Sequence, residues 1–152
     1  MSSPFPLPTP MRRALDLAIR AETAGEVPIG AVVTRNGVII GEGENRNRRD
    51  LDPTAHAEIV AMRNAARTIG DFRLIDCDLW VTLEPCPMCA GAISHARIAR
   101  LYYAVADPKG GGVEQGPRLF TQPQCLHRPE VYGGFAEEEA SALLRRFFAA
   151  RR

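Results

Sequence analysis

Hydrophobic positions recur along the chain with helical and strand periodicities, and the first half of the pattern predicts one helix and one hairpin. A helix is predicted to begin at Thr9-Pro10, an N-cap followed by a first-turn proline, and to run to about Thr23, where Gly25 can end it. Two β-rich runs, VPIGAVVTR and GVIIGEGEN, follow. They meet at Asn36-Gly37, which is a strong hairpin signal.

The second half of the pattern predicts two more strands and three more helices. A helix is predicted after Asp52-Pro53-Thr54, with His56 and Glu58 both in its first turn. LWVTL (79–83) and IARLYYAVA are predicted strands, and the helix between them follows the two cysteines. DPKGGGVEQGPRLFTQPQ is predicted to be a loop, and AEEEASALLRRFFAARR an amphipathic helix. The order of elements predicts an α/β fold, a sheet covered by helices on both faces.

Length and composition predict one globular domain. The 152 residues suit a single compact domain, expected at residues 11–152 after a proline-rich, mobile lead-in of residues 1–10. No apolar run approaches the roughly 20 residues needed to span a bilayer, and the start lacks a segment of signal-peptide type. We therefore expect a cytoplasmic protein with no membrane association, whose thiols stay reduced.

The charge pattern limits where nucleic acid can bind. A net charge of +1 gives the whole chain no electrostatic pull on nucleic acid, so only local clusters can supply one. Every basic residue except Lys109 is arginine, which suits phosphate binding and base stacking, although codon bias explains the same composition. The clusters are Arg46, Arg48 and Arg49 in one group, and Arg145, Arg146, Arg151 and Arg152 in another. We hypothesise that the first group contacts phosphates.

The stretch LEPCPMCAG (83–91) places two cysteines three positions apart. If Cys86 is a helix N-cap, Pro87 takes the first helical position and both sulfurs converge at the helix N-terminus, where free N–H groups stabilise thiolates. Zinc binds thiolates, but a bare C-x-x-C also fits a redox pair or half of a structural zinc ribbon.

The remaining metal ligand is predicted to be His56, because it alone among the other histidines and cysteines has a carboxylate two residues away. Positions i and i+2 of an ideal helix point in nearly opposite directions, so Glu58 is not expected to be a further ligand. His56-Ala57-Glu58 followed by Pro85-Cys86-x-x-Cys89 is the signature of zinc nucleobase deaminases. We predict one zinc ion on His56, Cys86 and Cys89 with an open fourth position, Glu58 as the proton shuttle, and no organic cofactor.

From about residue 10 onward, the chain resembles the bacterial tRNA-specific adenosine deaminases. The resemblance is carried by EVPIGAVV (26–33), GEGENR (41–46), DPTAHAEIVAMR (52–63), RLIDCDLWVTLEPCPMCAGAI (73–93), HRPEV (127–131) and ALLRRFFAARR (142–152). It implies a cytidine deaminase-like three-layer α/β/α sandwich with a mixed five-stranded sheet. It also implies a homodimer with one zinc per subunit, which converts the wobble adenosine of an arginine tRNA to inosine.

The resemblance also implies substrate-binding positions. Asn45 would contact the target base, Asp107 would lie near its ribose, and Val27, Pro28 and Ile29 would line the pocket. Phe147, Phe148, Arg151 and Arg152 would meet the anticodon stem-loop, and the remaining expected contacts are Ala57, Pro85 and Arg46. Simpler alternatives are a turn residue for Asn45, a cap before Pro108 for Asp107, and a core-facing Phe147-Phe148 pair. The loop 108–118 departs from the family in its glycine and proline content, and RNA is expected to dock there.

Two other functions fit parts of the pattern. A deaminase of free bases or nucleosides, such as guanine or cytosine, would use the same four residues. A zinc module that binds RNA without chemistry would not need Glu58, since a structural site has no use for an unligated carboxylate. The terminal FF–RR helix and the arginine-flanked loop favour a polymer substrate.

Overall fold

The computed structural model describes residues 6–151, and its regular elements follow the predicted order. The helices are α1 Thr9–Thr23, α2 Ala57–Ile69, α3 Pro87–Ala96 and α4 Glu137–Ala149. The strands are β1 Gly30–Arg35, β2 Val38–Glu44, β3 Cys77–Leu83, β4 Arg100–Val105 and β5 Glu130–Gly133. Of the predicted lead-in, residues 1–5 lie outside the described residues, and Thr9-Pro10 already belongs to α1.

The five strands form one mixed sheet in the order β2-β1-β3-β4-β5. Strand β1 runs antiparallel to β2 and β3, whereas β3, β4 and β5 are parallel to one another. Asn36 and Gly37 close the β1–β2 hairpin with positive φ angles of 51° and 78°, the conformation that a tight hairpin turn requires. The predicted mixed five-stranded sheet is therefore confirmed.

Alternate strand residues enter two separate cores, one on each face of the sheet. Ala31 and Val33 pack into the core beneath α2 and α3. Val32 and Trp80 pack into the opposite core, with residues of α1 and α4. Because helices cover both faces, the fold has the three α/β/α layers that the sequence predicts.

Helix α2 lies directly against the edge strand β2, because glycine leaves room for it. A Cβ at Gly41 or Gly43 would fall 2.4–2.5 Å from the carbonyl oxygen of Ala61 or Ala57 in α2. No larger residue fits this approach without moving the helix. The contact fixes the start of α2 beside the last residue of β2.

Two details differ from the pattern-based predictions. The hydrophobic pattern gives four strands and no β5, because only Val131 of this four-residue strand packs against a core cluster. Helix α2 begins at Ala57, so His56 is its N-cap residue and not part of its first turn. Within residues 6–151, no helix combines the length and apolarity needed to cross a bilayer.

Candidate active site

Four segments that flank the strands at one end of the sheet carry several of the predicted site residues. Residues 27–29 precede β1, Asn45 follows β2, residues 84–86 follow β3, and Asp107 follows β4. Gly30 of β1 pairs with Glu44 of β2, and Ala31 pairs with Val81 of β3, so these strand ends are neighbours. The sheet topology therefore brings segments far apart in sequence to one end of the sheet.

The three predicted metal ligands converge at two helix N-termini. His56 is the N-cap residue of α2, Cys86 is the N-cap residue of α3, and both have extended backbones. Cys89 lies in the first turn of α3, after Pro87 as predicted. Nδ1 of His56 lies 3.6 Å from Sγ of Cys86 and 3.4 Å from Sγ of Cys89. Among the described residues this is the one group of three potential ligands within 4.8 Å of one another.

The spacing of these atoms fits zinc. In a tetrahedral site with Zn–S of about 2.3 Å and Zn–N of about 2.0 Å, a sulfur and a nitrogen lie about 3.5 Å apart. The two observed S···N distances fall on either side of that value. With three protein ligands, one position of a tetrahedral ion stays open, which is the arrangement of catalytic zinc sites.

The local electrostatics favour a thiolate at Cys86. A hydrogen bond with Cys89 and the neighbouring His56 together lower the pKa of Cys86 to about 4. The same hydrogen bond raises the pKa of Cys89. One of the two sulfurs is therefore readily deprotonated at neutral pH, and the proton that the pair shares is released when a metal ion binds both.

Glu58 is a buried carboxylate beside the three ligands, within hydrogen-bonding reach of Cys89. Its residue is 4% exposed, it lines the same cleft, and it does not belong to the group of converging ligand atoms. Burial raises the pKa of Glu58 to about 7. This combination of burial and a near-neutral pKa suits a group that both accepts and donates protons.

A cleft of about 970 Å³ opens above the ligands and Glu58. Val27 and Ile29 give it an apolar wall, and Asn45 and Asp107 give it polar groups. The opposite rim comes from α4 and the residues after it, whose cleft-facing side chains are Ser141, Leu144, Arg145, Phe148 and Arg151. The structure thus brings half of the predicted substrate-binding residues to one cavity beside the metal ligands.

Several predicted contacts lie elsewhere. Pro28, Ala57 and Pro85 are buried and do not line the cleft. Phe147 is buried at 3% exposure, with the guanidinium of Arg151 over its ring at 3.5 Å, and it does not line the cleft. Its neighbour Phe148 is 49% exposed and faces the cleft. Arg152 lies outside the described residues.

Two of the three arginines of the first cluster form ion pairs with carboxylates of the protein. Arg46 bonds to Asp50 at 3.0 Å and lines a second groove, between α1, β2 and α2. Arg49 bonds to Glu26 at 3.3 Å and to Glu44 at 3.2 Å. These two guanidinium groups stabilise the loop after β2 and do not face the cleft.

Two buried carboxylates that shape the cleft, Glu26 and Glu84, belong to no sequence motif and were not predicted as site residues. Glu26 is 2% exposed and accepts hydrogen bonds from the backbone N–H groups of Arg48 and Arg49, so it holds the loop after Asn45. Glu84 is also 2% exposed and binds the backbone of the loop that begins at Asp107. Their positions in the sequence could have indicated a role, since Glu26 directly precedes Val27 and Glu84 directly precedes Pro85, both predicted site residues.

The comparisons with known proteins agree with this geometry. The family model of the cytidine and deoxycytidylate deaminase zinc-binding region matches residues 8–105. The tRNA-specific adenosine deaminase of Agrobacterium fabrum is 54% identical over 137 residues, which cover 88% of this chain and 90% of that protein.

Solved structures show the same likeness. A structure from work on A-to-I editing by tRNA:A34 deaminases at the wobble position has 53% identity and a TM-score of 0.88, covering 89% of this chain and 98% of that one. Guanine deaminase from Bacillus subtilis has 34% identity and a TM-score of 0.64, covering 94% and 92%. The similarity spans the metal ligands and most of the remaining chain.

Proposed function

This chain belongs to the zinc-binding cytidine and deoxycytidylate deaminase family, and we propose that it converts adenosine to inosine at the wobble position of tRNA. One observation carries the choice of a polymer substrate. The C-terminal helix presents Phe148 and Arg145 on the rim of the cleft that holds the metal ligands. An exposed aromatic ring can stack on an unpaired base, and arginine can bind the flanking phosphates.

The reaction is a hydrolysis in which Glu58 moves the protons. His56, Cys86 and Cys89 would hold a zinc ion, which would supply an activated water molecule as the nucleophile. Glu58 would accept a proton from the attacking water as its oxygen adds to C6 of the adenine ring, and would deliver it to N1. Glu58 would then take the second proton from the new C6 hydroxyl and pass it to the amino group, so that the C6–N bond breaks, the C6 carbonyl forms and ammonia leaves. Burial of Glu58 keeps bulk water from competing for these protons.

The rest of the cleft suits a base that is flipped out of a stem-loop. Such a base needs an apolar slot and a few hydrogen-bonding groups. Val27 and Ile29 offer the slot, Asn45 offers a hydrogen-bonding amide, and Asp107 offers a carboxylate for a ribose hydroxyl. We propose these four as the substrate contacts, together with Phe148 and Arg151 on the rim.

Three finer statements are also proposals. The resemblance to the family supports an arginine tRNA as the substrate and a homodimer as the working form. All four cysteines are free thiols, which supports a reducing compartment such as the cytoplasm. Light scattering of the purified protein tests the dimer, and a panel of tRNAs with adenosine at the wobble position tests the choice of tRNA.

Deamination of a free base is the second candidate, because guanine deaminase from Bacillus subtilis shares the fold at 34% identity. The deciding experiment incubates the zinc-loaded protein with an arginine tRNA bearing wobble adenosine, and in parallel with guanine, adenosine and cytidine. We expect inosine in the tRNA by mass spectrometry and no turnover of the small molecules. Turnover of a free base without turnover of the tRNA would contradict the proposal.

The Glu58→Ala variant is the control for the chemistry. Because Glu58 lies outside the ligand group, the variant should keep its zinc while its turnover falls by a factor of about 10²–10⁴ or more. Loss of zinc from this variant would show that Glu58 is a ligand and not the proton shuttle.

A further inference from the structure

The carboxylate of Glu84 is enclosed by the backbone of one loop. Its Oε1 accepts a hydrogen bond from the N–H of Asp107 at 3.0 Å. Its Oε2 accepts three more, from Val113 at 3.1 Å, Glu114 at 2.8 Å and Gln115 at 3.0 Å. Both oxygens of this buried side chain therefore bind the loop 107–115, at its first residue and at its last three.

Backbone N–H groups provide the stabilisation of this charge. Within residues 6–151, Glu84 forms no ion pair with a lysine, an arginine or a histidine. Removing the loop from the carboxylate would leave a buried charge without partners, which is costly. The loop and Glu84 thus stabilise each other.

Two glycines make this enclosure possible. A Cβ at Gly111 would lie 2.6 Å from Oε2 of Glu84 and 2.6 Å from the carbonyl oxygen of Asp107. Gly112 donates its N–H to the carbonyl oxygen of Pro85 at 2.8 Å, and a Cβ there would lie 2.6 Å from the nitrogen of Pro87. Gly111 and Gly112 therefore let the loop wrap around Glu84 and rest on the metal-ligand segment.

The first part of the same loop forms a wall of the cleft. Asp107, Lys109 and Gly110 all line the cavity above the metal ligands. Oδ1 of Asp107 accepts hydrogen bonds from the N–H groups of Lys109 at 3.1 Å and Gly110 at 3.0 Å. The position of this wall thus depends on two carboxylates, because Glu84 binds the N–H of Asp107 and Asp107 in turn binds the N–H groups of the next residues.

We propose that Glu84 is a positioning residue for substrate binding, which acts by fixing Asp107 and Lys109 at the cleft wall. The proposal rests on the proposed function for the identity of the substrate. The part of the proposal that concerns structure does not, since the effect of Glu84 on the mobility of the loop 107–115 can be measured without any substrate. The Glu84→Gln variant removes the charge and replaces one acceptor oxygen with an NH₂ group, which cannot accept a hydrogen bond from a backbone N–H.

Proteolysis reports directly on the loop, because Lys109 is the only lysine of the chain. Endoproteinase Lys-C, which cuts after lysine, can cleave this protein only between Lys109 and Gly110. We expect the folded Glu84→Gln variant to be cleaved about tenfold faster than wild type, since a hydrogen bond to a charged group has been lost from the closed loop. An unchanged cleavage rate would overturn the proposal.

Glu26→Gln is the matched control. Glu26 is equally buried and also accepts backbone N–H groups, but its loop is 46–49. If cleavage at Lys109 followed global stability alone, both variants would be cleaved faster, and that result would also overturn the proposal.

Gly111→Ala is a second variant that displaces the loop, because its Cβ would contact Oε2 of Glu84, and it should speed cleavage even if Glu84→Gln does not fold.

Kinetics on a tRNA with wobble adenosine then separate positioning from a merely structural role. We expect Glu84→Gln to keep its zinc and to raise KM about tenfold with a smaller change in kcat, because the wall that binds substrate is displaced. A structural role alone would lower kcat through the active fraction and leave KM unchanged. In an Asp107→Ala background, Glu84→Gln should add little, whereas fully additive effects would contradict action through Asp107.

These readouts distinguish the two possible failures. If the wild type edits no tRNA but the proteolysis contrast holds, the proposed substrate is wrong and the role of Glu84 in fixing the cleft wall stands. If the wild type edits tRNA but Lys-C shows no contrast, the role of Glu84 is wrong and the proposed function stands.

Discussion

Oδ1 of Asn45 accepts a hydrogen bond from the backbone N–H of Ala57 at 2.8 Å. Asn45 directly follows β2 and Ala57 is the first residue of α2, so the bond joins the cleft wall to the helix that carries Glu58. Within residues 6–151, Nδ2 of Asn45 has no hydrogen-bond partner. Every fully buried side-chain nitrogen or oxygen of these residues does have a partner, so Nδ2 is not fully buried. Nδ2 is therefore accessible, and we infer that Asn45 caps the helix with its oxygen and offers its nitrogen to the base.

Substitution of Asn45 can separate these two roles. Asn45→Asp keeps an acceptor for the N–H of Ala57 but has no donor for the base, so it should fold, keep zinc and lose about tenfold or more in kcat/KM on tRNA. Asn45→Ala loses the helix cap as well, and should be less stable by a further ~1 kcal/mol in urea unfolding. Wild-type kcat/KM in Asn45→Asp would exclude the amide as a substrate contact.

The parts of the fold that could be predicted are those with strong local signals. Asn36-Gly37 and the apolar run before Cys86 each specify an element from a few residues. Strand β5 could not be predicted from its own sequence, because its four residues owe their pairing to β4 and show no alternation of buried and exposed side chains. Its register is a tertiary effect.

The candidate site shows the same division between local and tertiary information. The metal ligands could be predicted because H-x-E and P-C-x-x-C are local motifs. Positions i and i+2 of an ideal helix diverge, yet His56 and Glu58 line the same cleft, because His56 is an N-cap residue with extended backbone and does not follow helical geometry. The roles of Glu26 and Glu84 could not be predicted, since their partners are backbone N–H groups of loops that come 22 to 31 residues later in the sequence.

The adjacent phenylalanines of α4 should respond differently to alanine. Phe148→Ala removes an exposed ring from the cleft rim, so KM for tRNA should rise while the unfolding free energy changes by less than about 0.5 kcal/mol. Phe147→Ala empties a buried position and should cost about 3 kcal/mol of stability. Urea unfolding and steady-state kinetics on both variants test the contrast. Equal effects of the two substitutions on stability would contradict the finding that Phe147 is buried and Phe148 is exposed.

The salt dependence of tRNA binding should identify the arginines that contact phosphates. Arg145→Gln and Arg151→Gln should each weaken binding and reduce the slope of log K against log salt by about 0.7, because each phosphate contact releases counterions. Arg46→Gln is the control, since Arg46 is paired with Asp50 in the second groove. A reduced slope for Arg46→Gln alone would return phosphate binding to the first arginine cluster.

Glu26 should make stability depend on pH in the acid range. Burial opposes its ionisation, but the N–H groups of Arg49 and Arg48 and the Arg49 guanidinium hold the pKa of Glu26 below its usual value. A carboxylate with a lowered folded-state pKa stabilises the protein above its unfolded pKa of about 4.3, and this contribution is lost as pH falls through the lower, folded value.

Glu26→Gln should therefore be less stable at pH 7 by about 1–2 kcal/mol and lose less stability than wild type on acidification. Urea unfolding at pH 7 and at several values below about 4.3 gives both quantities. Glu22→Gln is the comparison, because Glu22 pairs with Arg146 at the surface and should change stability by less than about 1 kcal/mol. A Glu26→Gln curve parallel to wild type would show that the loop does not depend on this charge.

Zinc X-ray absorption spectroscopy on the purified protein measures how many side chains coordinate the metal, on which the catalytic role of the site depends. We predict one zinc per chain, with two sulfur ligands at about 2.3 Å and two nitrogen or oxygen ligands at about 2.0 Å, the imidazole of His56 and an exchangeable water. A protein that binds no zinc, or a zinc ion with all four positions filled by side chains, would contradict the account.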